Sequence, residues 1–120
     1  MKNLDMRLFR LRVLSGWDSE YNVFVARCLE TGSIVTADDH ETVISMVKEV
    51  LEDEVTFAIE NDNLANLFSS PAPLEIHLKW LRAIKAGATV QKLELNIKLK
   101  EPIDGEGEDD LAEVEVAQAA

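Results

Sequence analysis

The sequence is short of the residue types that mark many metalloproteins and secreted proteins. Its 120 residues include one cysteine, two histidines and three prolines, and 12 Lys and Arg stand against 23 Asp and Glu. A single thiol cannot form an intrachain disulfide, so the cysteine count gives no sign of an oxidising compartment. The absence of Cys-x-x-Cys and His-x-x-x-His spacings argues against a structural zinc site. The shortage of bases argues against general nucleic-acid binding, because phosphate affinity requires a surplus of Lys and Arg.

Long apolar segments are missing as well. Charged residues interrupt the apolar side chains near the N-terminus, so this region lacks the apolar core of a signal peptide. No window approaches the roughly 18 apolar residues that a transmembrane helix needs. The sequence therefore predicts a cytoplasmic protein without a membrane segment. Its length and its hydrophobic fraction of 47% are those of one globular domain.

The formal net charge of -11 is distributed unevenly along the chain. Residues 101–120 contain eight acids and no base, whereas residues 1–100 contain fifteen acids and all twelve bases. The acidic segment also has no aromatic residue and few large apolar ones, a composition that does not offset the entropy of ordering the chain. We therefore predict a folded domain over residues 1–102 and an acidic, disordered tail over residues 103–120.

Three strands are predicted before the first helix. Arg7–Leu14 alternates apolar and polar residues, which is typical of a half-buried strand. Tyr21–Leu29 is rich in β-branched and aromatic residues and is apolar on both faces, as in a central strand. Turn-forming residues separate these segments, and Thr31-Gly32 precedes a short third strand over Ser33–Thr36. The pattern predicts a three-stranded antiparallel meander.

A long amphipathic helix follows the predicted meander. Asp38 is a suitable N-cap, and Glu41 three residues later completes a box-like start. Apolar residues then recur at helical spacing as far as about Glu60, with the acids mostly away from the apolar stripe. Nine acids accompany a single base between Asp38 and Asp62, so the helix is predicted to be acidic.

Two segments after the helix have a recognisable pattern. In Leu74–Trp80, apolar and polar residues alternate as in a strand, and the strand is the favoured interpretation. Leucines at helical spacing in the same region, with Gly87 as a possible C-cap, also fit a helix. Gln91–Lys100 alternates more clearly and is predicted to be a strand. The order of elements predicts an α+β fold, in which a sheet packs on one main helix and one or two further strands follow it.

Three segments in the first part of the chain follow an order known from one protein family. They are Gly16–Ala26, Thr31–Asp39 and Glu41–Ile44. The first contains an acidic turn beside Trp and a Val-x-Val-Ala strand, the second a strand with an initial Gly that runs into an acidic turn, and the third the start of an amphipathic helix. Over roughly Met6–Trp80, the chain resembles the HicB-like antitoxin family.

The resemblance implies a truncated ribonuclease-H-like fold, with a meander, a helix and a fourth strand. In complete members of the family, this domain binds and covers a small basic toxin, and many members also carry a module that binds operator DNA. The acidic C-terminal segment and the added strand over Gln91–Lys100 depart from the family pattern. The resemblance thus implies a HicB-like domain over residues 1–102, with a small basic protein as its partner.

Carboxylates are the candidate catalytic groups, because ribonuclease-H chemistry needs a cluster of them around two metal ions. The acids to consider are Asp18, Asp38, Asp39 and Glu41. Turn formation and helix capping explain these acids better than catalysis does. His40 is expected to be exposed in the first turn of the helix, and Cys28, in an apolar strand, to be a buried and inert thiol. We predict no catalytic residues, no cofactor and no metal site.

Aromatic and basic side chains are the candidate contacts for a partner. Trp17 and Trp80 are candidate anchors, since Trp is enriched among the residues that dominate binding energy. A basic face would form if the first and last predicted strands were neighbours. Its members would be Arg10, Arg12, Lys98 and Lys100.

These features predict a non-catalytic protein-binding domain that forms homo-oligomers through its sheet edges or its added strand. The expected partner is a small basic, toxin-like protein, because the acidic helix and the acidic segment complement positive charge. One alternative is a nucleic-acid-binding module that uses the basic strand face. Another is an oligomeric HicB relative with no toxin partner.

Overall fold

The computed structural model describes residues 9–99, 108–109 and 112–119. In chain order, the elements are β1 (Phe9–Asp18), β2 (Val23–Cys28), β3 (Ile34–Ala37), α1 (His40–Glu60), α2 (Leu64–Leu67), α3 (Leu74–Lys85), β4 (Val90–Glu94), β5 (Ile97–Lys98), β6 (Glu108–Asp109) and β7 (Ala112–Gln118). Five strands form one mixed sheet in the order β3-β2-β1-β7-β4, and β5 pairs with β6 separately. The predicted α+β class is confirmed. No helix within these ranges has the length and apolar composition needed to cross a membrane.

The predicted three-stranded antiparallel meander is present. β1 pairs antiparallel with β2, and β2 pairs antiparallel with β3. In the turn between β1 and β2, Asp18 Oδ1 accepts hydrogen bonds from the amides of Glu20 at 2.9 Å and Tyr21 at 3.3 Å. Asp18 therefore has the turn-forming role that its sequence context suggests.

The N-cap of α1 lies one residue later than the sequence pattern indicates. The cap is Asp39, whose Oδ1 accepts a hydrogen bond from the Thr42 amide at 2.8 Å, so the predicted cap at Asp38 is wrong. The Thr42 hydroxyl also donates to Asp39 Oδ2 at 2.9 Å. Thr42, rather than Glu41, occupies the position three residues after the cap, and both of its donors are satisfied there.

One face of the sheet packs against α1. The buried side of the helix comprises Val43, Ile44, Val47, Leu51, Val55 and Ala58. These residues share a core with Leu11 and Val13 of β1, Cys28 of β2 and Val114 of β7. Removal of this apolar surface from water is the dominant favourable term in folding, and it fixes α1 against the centre of the sheet.

The segment Leu74–Trp80 is helical, so the favoured strand interpretation is wrong. It forms the first part of α3, whose C-terminus has the two hydrogen bonds of a Schellman motif. The Gly87 amide donates to the Ile84 carbonyl at 3.0 Å. The Ala88 amide donates to the Ala83 carbonyl at 3.0 Å. Gly87 has a φ of 88°, a left-handed conformation that glycine adopts without a Cβ clash.

α3 covers part of the second face of the sheet. Trp80 and Ala83 are buried there in a second core cluster, together with Leu14, Leu29 and Ala117. Val13 and Leu14 are consecutive in β1 and therefore point to opposite faces, so α1 and α3 lie on opposite sides of the sheet. A helix places Trp80 and Ala83, three residues apart, on one side, which a strand would not do.

The C-terminal segment contains a central strand, so the predicted disordered tail is wrong over Ala112–Gln118. β7 pairs in parallel with β1 and antiparallel with β4, so it has a hydrogen-bonded neighbour along both edges. Ala112, Val114 and Val116 are buried in the core shared with α1. Pairing along both edges and burial of these side chains offset the entropy cost of ordering the segment. Its composition, considered alone, does not offset that cost. Residues 103–107, 110, 111 and 120 of the predicted tail lie outside the described residues.

The strand predicted over Gln91–Lys100 is divided into two. β4 lies at an edge of the main sheet beside β7, whereas β5 belongs to the small separate sheet. Between them, the Asn96 amide donates to Glu52 Oε2 of α1 at 2.7 Å. This bond satisfies the Asn96 amide where the strand is interrupted, and it links this point to α1. The alternation of apolar and polar residues in the sequence thus runs through a point at which the strand is interrupted.

Candidate binding surfaces

The outer side of α1 combines acids with large apolar side chains. Met46 and Phe57 are 40% and 62% exposed there. Glu49, Asp53 and Glu60 are exposed on the same side, because successive members of this set are three or four residues apart. These five residues are called the acidic face of α1 below.

Another acid of α1 is engaged within the domain. Glu52 Oε2 accepts hydrogen bonds from Lys48 Nζ at 2.8 Å and from the Asn96 amide at 2.7 Å. Across the described part of the chain, by contrast, Glu49 and Asp53 make no hydrogen bond or ion pair. The fold therefore uses the charge of Glu52, and it leaves two carboxylates of the acidic face directed to solvent.

The second face of the sheet has an open groove of about 760 Å³ beside α3. Its lining includes Trp17, Tyr21, Val25, Arg27, Ile34 and Lys79. Trp17 is 52% exposed and contacts Phe24 edge-to-face, with the ring centroids 5.0 Å apart. The groove has aliphatic and aromatic walls, two cations and the carboxylate of Asp18.

Arg27 gives this groove a chemical character opposite to that of the acidic face of α1. Its Nε is buried and has no hydrogen-bond partner in the described part of the structure. A buried, unpaired N–H costs free energy, which an incoming acceptor would recover. Lys79 and Asp18 also lie in the lining, so the formal charge of the groove is one positive unit, and the unpaired Arg27 Nε is its free donor.

The two predicted interface tryptophans have different environments. Trp17 is exposed at the groove, whereas Trp80 is 5% exposed and belongs to the second core cluster. The guanidinium of Arg12 lies 6.0 Å from the centroid of the Trp80 ring, and its Nε donates to Glu30 Oε2 at 2.6 Å. Trp80 and Arg12 are therefore engaged within the domain, and Trp17 is the accessible member of the pair.

The strand arrangement that would assemble the predicted basic face does not occur in the main sheet. The neighbours of β1 are β2 and β7, so the condition for the basic face, that the first and last predicted strands adjoin, is not met. The parallel register places Glu113 of β7 beside Arg10 and Glu115 beside Arg12. Each arginine of β1 thus has an acid, and not a lysine, beside it on the same face of the sheet.

Lys98 of the predicted basic face does not lie in a strand beside β1. Lys98 lies in β5, which belongs to the small separate sheet. Lys100 lies outside the described residues. Lys98 is therefore in a different sheet from Arg10 and Arg12.

The candidate carboxylates occupy separate structural roles. Asp18 binds turn amides, Asp39 caps α1, and Asp38 and Glu41 are exposed near the start of the helix. The hydrogen bond from the Thr42 amide, with a further one from its hydroxyl, lowers the pKa of the Asp39 carboxyl below its ordinary value. Within residues 9–99, 108–109 and 112–119, no three potential metal ligands form a group.

A serine–histidine contact that the sequence pattern did not indicate links β1 to α1. Ser15 Oγ and His40 Nε2 are 3.1 Å apart, and the His40 ring meets Phe24 with centroids 5.7 Å apart. His40 is half-buried, so the expectation that it is exposed is wrong. Ser15 is only 1% exposed, which keeps its hydroxyl away from any substrate. The contact therefore anchors the first turn of α1 to the sheet.

Cys28 is buried, as predicted. Desolvation by burial raises the pKa of its thiol above the ordinary value. Since the thiolate is the reactive form, a raised pKa and the lack of access both make this thiol unreactive. Cys28 is a small core residue of β2.

Sequence reasoning missed the apolar members of the acidic face of α1 and the groove. A signal for the first was available, because Met46 and Phe57 follow the helical spacing of the outer acids. The groove had no such signal, since it depends on how β2, β3 and α3 pack together. A single sequence does not specify that packing.

Comparison of the chain with protein-family models, with curated proteins and with solved structures found no match.

Proposed function

We propose that this chain is a non-catalytic protein-binding domain that uses the acidic face of α1 to bind a small basic protein. The observation that carries the proposal is the exposure of Met46 and Phe57 among Glu49, Asp53 and Glu60 on one side of a helix. Methionine and aromatic residues are enriched in interfaces, where burying them provides much of the binding free energy.

The acids around these two apolar side chains determine which partner fits. Carboxylates attract a basic surface over roughly the 8 Å Debye length of physiological salt, which accelerates encounter and orients the partner. The same charges repel acidic proteins and nucleic acids. The acidic face of α1 therefore favours a partner with a basic rim around an apolar patch.

The resemblance to the HicB-like antitoxins supports a toxin-like partner. The order of a meander followed by one long helix is the one that the resemblance implies, whereas the segment from Pro73 to Ile76, which resembles the family's fourth strand, begins α3 instead. In this proposal the chain is a truncated ribonuclease-H-like domain that acts in the cytoplasm by covering the active surface of its partner.

The test begins with the reading frames beside the one that encodes this chain. A short basic protein of about 60–80 residues encoded next to it, a size at which single-domain chains fold, would be co-expressed with the full chain. We expect the two proteins to co-purify in a fixed ratio. If no such neighbour exists, or if the co-expressed neighbour separates from this chain during purification, the toxin-neutralising role is wrong.

Replacement of an apolar anchor tests which surface makes the contact. Phe57→Ser is expected to abolish co-purification, because it removes the largest apolar group of the acidic face of α1. Tyr21→Ser removes a similarly exposed aromatic group from the turn after β1, and we expect it to leave co-purification unchanged. Equal retention of the partner by both variants would exclude the acidic face as the docking surface.

A further inference from the structure

The solvent side of α3 carries a continuous stripe of large apolar residues. Leu74, Leu78, Leu81 and Ile84 are 73%, 39%, 52% and 38% exposed. Successive members are three or four residues apart, so they share one side of the helix. This side is distinct from the one that buries Trp80 and Ala83 against the sheet. α3 therefore has two apolar sides, and the domain covers only one of them.

Charged side chains flank this stripe in a self-complementary order. Glu75 lies in the first turn of α3 and Arg82 in the last, seven residues later, so both lie on the same flank. Both side chains are exposed, and within the described residues neither makes an ion pair or a hydrogen bond. An acid at one end and a base at the other is the pattern that a two-fold axis can satisfy.

An antiparallel pairing of two α3 helices brings these features together. With the two-fold axis midway between Leu78 and Leu81, Leu78 of one copy faces Leu81 of the other. The same operation brings Glu75 of one copy to within about 3 Å, measured along the helix axis, of Arg82 on the same flank of the other copy, once on each side of the two-fold axis. A parallel pairing would instead place each Glu75 beside its own copy, which is repulsive.

We propose that a second copy of this chain covers the exposed stripe of α3, forming a two-fold dimer through antiparallel α3 helices. The proposal is independent of the proposed function, because α1 and α3 lie on opposite sides of the sheet. The dimer thus leaves the acidic face of α1 of each copy open. A substitution in α3 that abolishes the dimer is therefore expected to leave binding to a basic protein intact, so failure of one proposal is distinguishable from failure of the other.

Sedimentation equilibrium of the full chain over a wide concentration range tests the dimer. We expect a concentration-dependent monomer–dimer equilibrium in the unmodified protein. Leu81→Glu is expected to give a monomer, since it places two carboxylates in the apolar contact. Leu81 is on the solvent side, so the thermal midpoint of unfolding of the monomer should change little. A monomer at every concentration in the unmodified protein overturns the proposal.

Charge reversal tests the antiparallel geometry without disturbing the apolar contact. Glu75→Arg and Arg82→Glu should each weaken dimerisation by about tenfold, because each converts two attractive pairs into two repulsive ones. The double variant restores opposite charges and should return the dimerisation constant to near its original value. Glu20→Arg, an exposed reversal in a turn, serves as the control. A double variant no better than the single ones, or single variants equal to the control, contradicts the proposed interface.

Discussion

At the scale of single residues, Asp39 connects the charge state of one carboxyl to the start of α1. The Thr42 amide and hydroxyl both donate to this carboxylate, which lowers its pKa in the folded state. A group whose pKa is lowered by folding stabilises the fold when it is ionised. The contribution is present at neutral pH, and it is lost as the pH falls through the folded-state pKa.

Replacement of this cap should reveal the pH dependence directly. Asp39→Ala is expected to lower the midpoint of thermal unfolding at pH 7, because an orphan amide of the first turn loses its acceptor. The difference from the unmodified protein should narrow below about pH 4, where Asp carboxyls become protonated. Asp38→Ala removes the adjacent exposed carboxyl and should have a smaller effect at pH 7. Equal effects of the two substitutions would contradict the assignment of the cap.

Arg12 shows how a residue that is suited to binding can instead serve the fold. Its guanidinium pairs with Glu30 and lies near the Trp80 ring. Both predicted contact residues, Arg12 and Trp80, are therefore held within the domain. Residue type alone did not distinguish Trp80 from Trp17, which is the same amino acid but is exposed at the groove.

At the scale of elements, β7 is the strand that joins the two ends of the described chain. It lies between β1 and β4, and its buried members include Val114 at the centre of the core. Without β7, β1 would lose its parallel neighbour, and β4 would lose the partner that it has among the described strands of the main sheet. The acidic C-terminal segment is thus part of the folded domain wherever it contributes to β7.

Removal of β7 should therefore abolish the fold. A chain truncated after Pro102 is expected to lose cooperative thermal unfolding, as followed by circular dichroism. In the full chain, Val114→Ala should lower the free energy of unfolding by about 2 kcal/mol, since it removes buried methyl groups from the core. Gln118→Ala, at the exposed end of β7, should change it by less than about 0.5 kcal/mol. Cooperative unfolding of the truncated chain at an unchanged midpoint would show that β7 is dispensable.

The elements differ in how far the sequence could predict them. The meander and α1 follow from local patterns, because alternation and helical spacing report directly on which sides are buried. The pattern of α3 is ambiguous because apolar residues lie on two of its sides, so alternation and helical spacing coexist over Leu74–Trp80. The signals that favour the helix are Glu75 in the first turn, the bases of the last turn, and Gly87 just after the C-terminus.

Prediction of β7 failed for a different reason. Composition measures whether a segment can bury enough surface by itself, and the acidic C-terminal segment has little to bury. The strand is stabilised by its neighbours on both edges, which are distant in sequence. The groove likewise depends on elements that are distant in sequence, so it could not be predicted. Met46 and Phe57 of the acidic face of α1 could have been predicted, because they follow the helical spacing of the outer acids.

At the scale of the whole molecule, the net charge of -11 is not that of a folded domain with a separate acidic tail, because acids of the C-terminal segment belong to the main sheet. Acids of β7 lie beside the arginines of β1, and Glu52 is engaged at the interruption between β4 and β5. Glu49 and Asp53 of the acidic face of α1 are directed to solvent. With α3 on the opposite side of the sheet, one molecule can present an acidic face to a basic partner while its α3 contacts a second copy.

The central claim is that the acidic face of α1 binds a basic protein, and calorimetric titration with the short basic protein encoded beside this chain tests it most directly. Saturable binding is expected for the unmodified chain, and about tenfold weaker binding for Asp53→Lys, because the reversed charge lies between the two apolar anchors. Glu20→Lys changes the net charge equally at a distant turn and should weaken binding far less. Absence of binding, or equal losses for Asp53→Lys and Glu20→Lys, would contradict the account.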